Sequence, residues 1–326
     1  MANATAGTVA YANQANMTTG TTTNGGTVTL YAIWKRTITF YSGSSKATTN
    51  TVTQYYNGSS SAGAAITSPA GAAITNWTKL GFRDDTSAGA KEISYSASFT
   101  PSATTYYAVY SRSVTFYHGY NKAASTSATQ YYNTNGAYAV TTPTAATCTD
   151  ITYWTEIGWR DDTTASSQKV GFNASSSSSS ATFYAVYKQT ASLTYNGNGN
   201  TGGSTSATTS STRYLNSGNT TLSSTSLSWT LASNGFTKTG HTFSAWDRGA
   251  VGATYTRTLA YNANPASTAT AQWTANTYTV TLNQNGGAGG TTSVTATYGS
   301  AMPSATMPTR SGYTFEGYYD ATSGGT

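Results

Sequence analysis

The sequence predicts a mainly β protein, built as an elongated tandem array of small modules. Three observations predict it. Four motifs recur in the same order at an offset of about 76 residues. The segments that open and close each repeat alternate small polar with apolar residues, the period of a strand. Only 8% of the 326 residues are charged, against about 25% in an ordinary soluble domain, while Tyr, Trp and Phe make up 13%. Tyr and Thr favour a pleated, half-buried surface. Regularly spaced aromatics and a net charge of only +6 argue for folded modules with uncharged polar surfaces rather than disorder.

The repeats are explicit. Thr37-Ile-Thr-Phe-Tyr41 matches Ser113-Val-Thr-Phe-Tyr117, and Gln54-Tyr-Tyr-Asn57 matches Gln130-Tyr-Tyr-Asn133. Gly81-Phe-Arg-Asp-Asp85 matches Gly158-Trp-Arg-Asp-Asp162, and Tyr107-Ala-Val-Tyr110 matches Tyr184-Ala-Val-Tyr187. A third unit opens at Ser192-Leu-Thr-Tyr-Asn196, passes His241-Thr-Phe-Ser-Ala-Trp246 and closes at Thr270-Ala-Gln-Trp273. A fourth opens at Tyr278-Thr-Val-Thr-Leu282 and reaches Gly312-Tyr-Thr-Phe-Glu-Gly-Tyr-Tyr319. The chain begins in mid-unit, since Thr29-Leu-Tyr-Ala-Ile-Trp34 reads as a closing strand. The predicted division is therefore a rear half-unit at 1–36, units at 37–111, 112–187 and 188–276, and a front half-unit at 277–326. The two half-units together amount to about one unit.

Within each unit, Asn196-Gly-Asn-Gly199 and Asn285-Gly-Gly287 follow the opening strand and read as turns, because Asn and Gly tolerate positive φ. The closing strand puts Leu30, Ala32 and Trp34 on one face, then Tyr106, Ala108 and Tyr110, then Phe183, Ala185 and Tyr187. The small Ala between two bulky groups marks a tight spot against the middle segment. The opposite face carries Ile33, Val109, Val186 and Gln272, which reads either as scattered surface hydrophobicity or as contact between neighbouring units. No segment longer than about ten residues has helical periodicity. The positions that carry the repeat are Trp34, Tyr110, Tyr187 and Trp273 in the closing strands and Gly81, Gly158, Trp246 and Tyr318 in the middle segments.

Tyr278-Thr-Val-Thr-Leu-Asn-Gln-Asn-Gly-Gly287, Val294-Thr-Ala-Thr-Tyr-Gly299, Pro308-Thr-Arg-Ser-Gly-Tyr-Thr-Phe-Glu-Gly-Tyr-Tyr319 and Ser323-Gly-Gly-Thr326 resemble the opening two-thirds of a Listeria–Bacteroides repeat, the internalin B-repeat type of module. Thr29–Trp34 is similar to that family's closing strand. The likeness is closest over 277–326, weaker over 188–276 and looser over 37–187, where Trp77-Thr-Lys-Leu-Gly-Phe82 and Trp154-Thr-Glu-Ile-Gly-Trp159 replace Gly-Tyr-Thr-Phe. The resemblance implies small β-grasp-like modules in tandem on a secreted or cell-surface bacterial protein, with no catalytic residues and no cofactor.

Other chemistry is sparse. Arg83-Asp84-Asp85 and Arg160-Asp161-Asp162 are the repeated charge clusters. Asp84, Asp85, Asp161 and Asp162 are weak metal candidates: paired carboxylates suit Ca²⁺, yet no Asp-x-Asn-x-Asp spacing is present. The alternative is a loop in which Asp accepts backbone N–H bonds and Arg pairs locally. His118 and His241 occupy non-equivalent positions, so a shared metal is not expected. Cys148 is the single cysteine, which precludes an intramolecular disulfide, and no base stands near it in sequence for thiol catalysis. Gly286-Gly-Ala-Gly-Gly290 lacks the Lys-Ser/Thr of a P-loop. The bases form no run, so nucleic acid is not an expected partner. No stretch approaches the roughly 18 apolar residues of a membrane span. Met1-Ala-Asn-Ala-Thr-Ala-Gly7 has neither a basic segment nor an apolar core, so it does not read as a signal peptide, and the chain reads as an excised piece or a processed subunit.

The functional expectation is a non-enzymatic extracellular stalk, spacer or adhesin segment. A filament subunit joined head to tail, 277–326 of one chain completed by 1–36 of the next, is the alternative. Binding of host or cell-surface glycans or proteins is a further one.

Overall fold

The computed structural model describes residues 26–27, 32–56, 63–172, 174 and 178–322. Much of the Thr29–Trp34 motif, most of the 1–36 half-unit and Ser323–Thr326 lie outside that set. The described residues are mainly strand, with two short 3₁₀ turns and no α-helix. They divide into two compact units, 1–151 with 155–187 and 215–221, and 152–154 with 188–214 and 222–326.

The strands of the first unit are β1 (Lys35–Ser42), β2 (Thr48–Tyr55), β3 (Thr78–Arg83), β4 (Thr105–His118), β5 (Ala124–Asn133), β6 (Tyr138–Val140), β7 (Thr155–Arg160) and β8 (Thr182–Gln189). β1 and β2 form an antiparallel hairpin. The closing segment at the start of β4 runs parallel to β1, with Phe40 opposite Tyr106, and antiparallel to β3, with Phe82 opposite Ala108. The closing strand is thus the central strand of its sheet. Its predicted inner face holds, since Tyr106, Ala108 and Tyr110 are all buried. Ala108 is small because the Phe82 ring stands directly across from it.

β4 does not stop at residue 111. It is one strand of 14 residues that closes one repeat and opens the next within a single continuous ten-stranded sheet. From Val109 onward it pairs with β5 as a hairpin, and Phe116 lies opposite Phe183 of the parallel β8. Two aromatic cores result. One holds Ile38, Phe40, Ile66, Phe82, Tyr106, Ala108, Tyr110 and Tyr132. In the other, Phe116 stacks on Phe183 at 4.8 Å and meets Trp159 edge-on at 4.9 Å. Low aliphatic content is offset here by ring packing, which adds about 0.5–1.5 kcal/mol per pair beyond area burial.

The second unit repeats the plan. Its main strands are β9 (Ser192–Asn196), β11 (Ser226–Thr230), β12 (His241–Trp246), β13 (Thr254–Thr258), β14 (Ser267–Ala275), β15 (Thr277–Thr281) and β16 (Ser293–Thr297), while β10 (Arg213–Asn216) pairs with β8 in the ten-stranded sheet. The closing strand β14 again lies between β9, parallel with Tyr195 opposite Ala269, and β12, antiparallel with Trp246 opposite Ala271. Leu193, Leu227, Trp229, Leu231, Trp246, Leu259, Ala269 and Ala271 form the core. The Trp229 and Trp246 indoles donate to the Ala191 and Ala232 carbonyls at 3.0 and 2.9 Å, so neither buried N–H is orphaned.

The residue before each middle aromatic sits at a strand irregularity. The register shifts between Lys79 and Gly81, and between Phe243 and Ala245. A Cβ on Gly81 would come within 1.9 Å of the Ile93 carbonyl, and one on Gly158 within 2.4 Å of the Val170 carbonyl. Gly158 also has φ +136°, closed to most L-residues. Gly158→Ala is expected to cost about 2–3 kcal/mol, since backbone must move to admit the methyl group. Urea unfolding of the variant measures it.

Candidate functional site

The functional feature the fold builds is a joint. The cores of the first two repeats are finished by residues that belong, in sequence, to the following repeat. Asn133 and Tyr132 of β5 pair with Val109 and Tyr110 at the end of the preceding closing strand. Thr134 N then donates to Ala108 O at 2.9 Å. The same handover occurs one repeat later, where Ser217 N donates to Ala185 O at 2.9 Å and Leu215 is buried. Val109 and Val186, on the face that sequence left open between surface and contact, are buried, whereas Ile33 and Gln272 are exposed.

Three further contacts lock the joint. The first is aromatic and cationic. Trp77 packs against Tyr132 and Tyr138 at 5.6 and 6.0 Å, and the Arg112 guanidinium stands 4.4 Å from its ring centroid. The second is an Arg–Gln pair across the hairpin. Arg36 Nε donates to Gln54 Oε1 at 2.6 Å, and Arg112 Nε to Gln130 Oε1 at 2.8 Å. In the third repeat the two residues exchange places. Arg213 is now on the second strand and donates to Gln189 Oε1 at 2.8 Å. Arg213 is fully buried, donates to the Leu259 and Ala260 carbonyls at 2.9 and 3.2 Å, and faces the Trp154 ring at 5.3 Å. Burial lowers its pKa.

The third lock explains the repeated acidic motif. Asp85 takes a two-pronged bond from Arg83 at 2.9 and 2.7 Å, and Asp162 takes the same from Arg160 at 2.8 and 2.9 Å. These guanidinium bonds hold both carboxyls well below the usual carboxylate range. The shaped loops then receive the asparagine of the next hairpin. Asn133 Nδ2 donates to the Asp85 and Ser87 carbonyls at 3.2 and 2.9 Å, and Asn216 Nδ2 to the Asp162 and Thr164 carbonyls at 2.9 and 3.0 Å. Asn133 and Asn216 are fully buried. Asp84, Asp85 and Glu92 cluster at the surface, but Glu92 pairs with Arg83 and Asp161 with Lys169, at 2.9 and 2.8 Å. The four candidate carboxylates lie in structural loops.

The repeat-bearing side chains fall as follows. Tyr110 and Tyr187 are buried, and each hydroxyl accepts a bond from a turn amide, Gly43 or Gly119, at 2.7 Å. Burial raises both phenol pKa values. Trp246 is buried, and Trp273 is half-buried with its indole donating to Gly197 O at 2.9 Å. Tyr318 is half-buried and its hydroxyl oxygen has no partner among the described residues. Trp34 is 67% exposed. His118 bridges the Thr149 and Thr126 hydroxyls at 3.2 and 3.1 Å, while His241 packs edge-on against Tyr298. Cys148 is half-buried, its thiol pushed up to about 12 by burial and by Glu156 and Asp150, the reverse of an activated nucleophile.

Glu156 was not singled out by sequence. Desolvation raises its pKa to about 6, the Asp150 charge adds to this, and the Tyr187 hydroxyl opposes it. The folded state holds the proton more tightly than the unfolded chain. Stability is therefore greatest below the ordinary value of 4.5 and falls as pH rises through about 6. Glu156→Gln is expected to remove a fall of about 1 kcal/mol between those limits, after allowance for solvent screening. Denaturant melts of both proteins across that pH range check it.

Comparison with known proteins agrees with the family resemblance. Residues 278–326 match the Listeria-Bacteroides repeat domain. Internalin H of Listeria monocytogenes serovar 1/2a is 40% identical over 92 residues, covering 28% of this chain and 16% of that relative. The chain thus spans about a sixth of the curated relative it matches. No solved structure matches the chain.

Proposed function

We propose that this chain is a non-enzymatic spacer or stalk segment of a bacterial surface protein, with an extracellular location, whose modules are interlocked rather than strung on linkers. The observation that carries the reading is β4, one 14-residue strand shared by two successive repeats within one ten-stranded sheet. A strand shared this way leaves no flexible linker between the units at 37–111 and 112–187, and the core of the first is completed by residues of the second. The family match at 278–326 and the internalin relative support the surface assignment. The module is read as β-grasp-like: the order β2-β1-β4-β3, with β1 and the closing strand parallel at the centre, supports that arrangement with a loop in place of the helix. Sparse charge and the absence of converging acid, base and nucleophile among the described residues support a structural role.

The test is mechanical. Single molecules pulled from both ends are expected to release Lys35–Tyr187 in one step, because neither half of the shared sheet survives loss of β4. Two separate steps, one per sequence repeat, would contradict the interlocked spacer.

A further inference from the structure

The second compact unit carries an open cleft of about 830 Å³ on the outward face of the parallel pair β9 and β14. Its floor is a row of hydroxyls. Thr194 and Thr268 stand side by side, both exposed and bonded through their side chains at 3.0 Å, and Thr270 continues the row. In the first two repeats the places of Asn196 and Thr270 are taken by a stacked tyrosine pair, Tyr41 on Tyr107 at 5.7 Å and Tyr117 on Tyr184 at 5.9 Å, with a lysine over each pair. The third repeat lacks that cover. The walls are cationic and aromatic. Arg248 and Arg257 line the cleft, and no acidic side chain does among the described residues. Arg257 donates to Ala266 O at 2.8 Å and pairs with no carboxylate among the described residues. Arg248 reaches the neighbouring Asp247 only at 3.5 Å, and its guanidinium stands 5.4 Å over the Tyr255 ring, which Trp229 backs by stacking at 5.5 Å. Two guanidiniums on one cleft with no carboxylate lining it leave positive charge for a ligand to balance.

Tyr153, which also lines the cleft, is held in the left-handed region at φ +69°. The equivalent residues of the other repeats are Asn76, Gly240 and Gly312, at +64°, +69° and +79°. Each of these three is the third residue of a turn closed by the next N–H, which donates to Ile74, Lys238 or Arg310 O at 3.1, 3.0 and 3.1 Å. Positive φ at that position suits Gly and Asn. A bulky tyrosine there is an outlier. Burial does not offset the strain, since Tyr153 is 45% exposed. Its backbone is nevertheless fixed, with Gln189 Nε2 donating to Tyr153 O at 3.1 Å and the adjacent Trp154 indole to Tyr261 O at 2.7 Å. A strained, exposed ring held firmly at the edge of a cleft points to a ligand.

We infer that this cleft binds an acidic saccharide, through a sugar ring that bears a carboxylate. The planar forks of Arg248 and Arg257 match a carboxylate. Tyr153 and Tyr255 offer rigid faces to the C–H side of the ring. The threonine hydroxyls both donate to and accept from its hydroxyls. An acidic peptide fits less well. Both floor strands are paired on each side, β9 with Thr208–Thr209 and β14, and β14 with β9 and β12, so the floor offers no free strand edge for a peptide to extend. The site adds a ligand to the spacer role and does not depend on it.

The experiment is isothermal titration calorimetry at low salt, with trisaccharides of glucuronic, galacturonic and sialic acid, their methyl esters, and hexaglutamate as probes. At least one of the acids is expected to bind, with its uncharged ester weaker by about tenfold and hexaglutamate inert. Tyr153→Asn is expected to weaken binding by about tenfold yet to melt at or above the parent's temperature, because asparagine accepts the left-handed backbone. Arg257→Gln is expected to weaken binding by about tenfold and to flatten its salt dependence. Failure of all three acids to bind would overturn the proposal, as would an ester that binds as tightly as its acid. Hexaglutamate binding more tightly than the sugars would overturn it in favour of an acidic peptide. A folded Tyr153→Asn or Arg257→Gln variant that binds like the parent would also overturn it.

Discussion

Arg213→Gln is expected to lower the stability of the second compact unit by about 3 kcal/mol, and adding Gln189→Arg to the same chain should restore most of it. The loss follows from what the guanidinium does. It satisfies the buried Leu259 carbonyl and also binds that of the exposed Ala260, holds Gln189 Oε1 and covers the Trp154 ring. The buried Leu259 carbonyl left unpaired costs about 1–3 kcal/mol, and the emptied space beside Trp154 and Gln189 adds to it. The rescue follows from the molecule's own variation. In the first two repeats the arginine stands on the opening strand, at Arg36 and Arg112, and the glutamine on its hairpin partner, at Gln54 and Gln130. The same space therefore accepts the pair in either order. Chemical denaturation of the two single variants and the double variant gives the coupling. A double variant no better than the worse single variant would show that the third joint is built for one order only.

Tyr132→Ala is expected to cost about 3–4 kcal/mol, and the damage should appear in a sequence unit to which Tyr132 does not belong. The ring is 3% exposed, lies 5.6 Å from Trp77 and 4.7 Å from Tyr138, and its hydroxyl accepts a bond from Ser45 N at 2.8 Å. Truncating a buried aromatic leaves a cavity worth that much. Its neighbours in the core are Ile38, Phe40, Phe82 and Tyr110 of the earlier repeat.

The repeats, the strand character and the inner face of each closing strand were legible in the sequence, because a half-buried strand writes its period into the residues. Tyr106, Ala108 and Tyr110 alternate with their neighbours in sequence and are buried together in the core. The joint was not legible. Alternation says that Tyr132 has a buried side, but not whose core it enters, and a single hairpin reads the same whichever sheet it completes. The glycines at 81 and 158 gave no sign of the carbonyls behind them, since Ile93 and Val170 lie in the irregular segment that follows. The Arg-Asp-Asp motifs read in sequence as structural loops ahead of a cation site, but nothing in them pointed to Asn133 and Asn216 as the residues they hold. The sequence does carry one sign of the joint: where the third repeat has Gln189 in place of Arg36 and Arg112, an arginine arises at 213, in the place of Gln54 and Gln130.

The measurement that bears most directly on the interlocked joint is native-state hydrogen exchange of the Tyr132→Ala variant, read on β1 and β2. The joint requires the amides of Lys35–Ser42 and Thr48–Tyr55 to lose protection along with those of the first half of β4, although the substituted residue lies some 80 positions further on, in the next repeat. Protection unchanged in those strands, with losses confined to β5 and its own repeat, would contradict it.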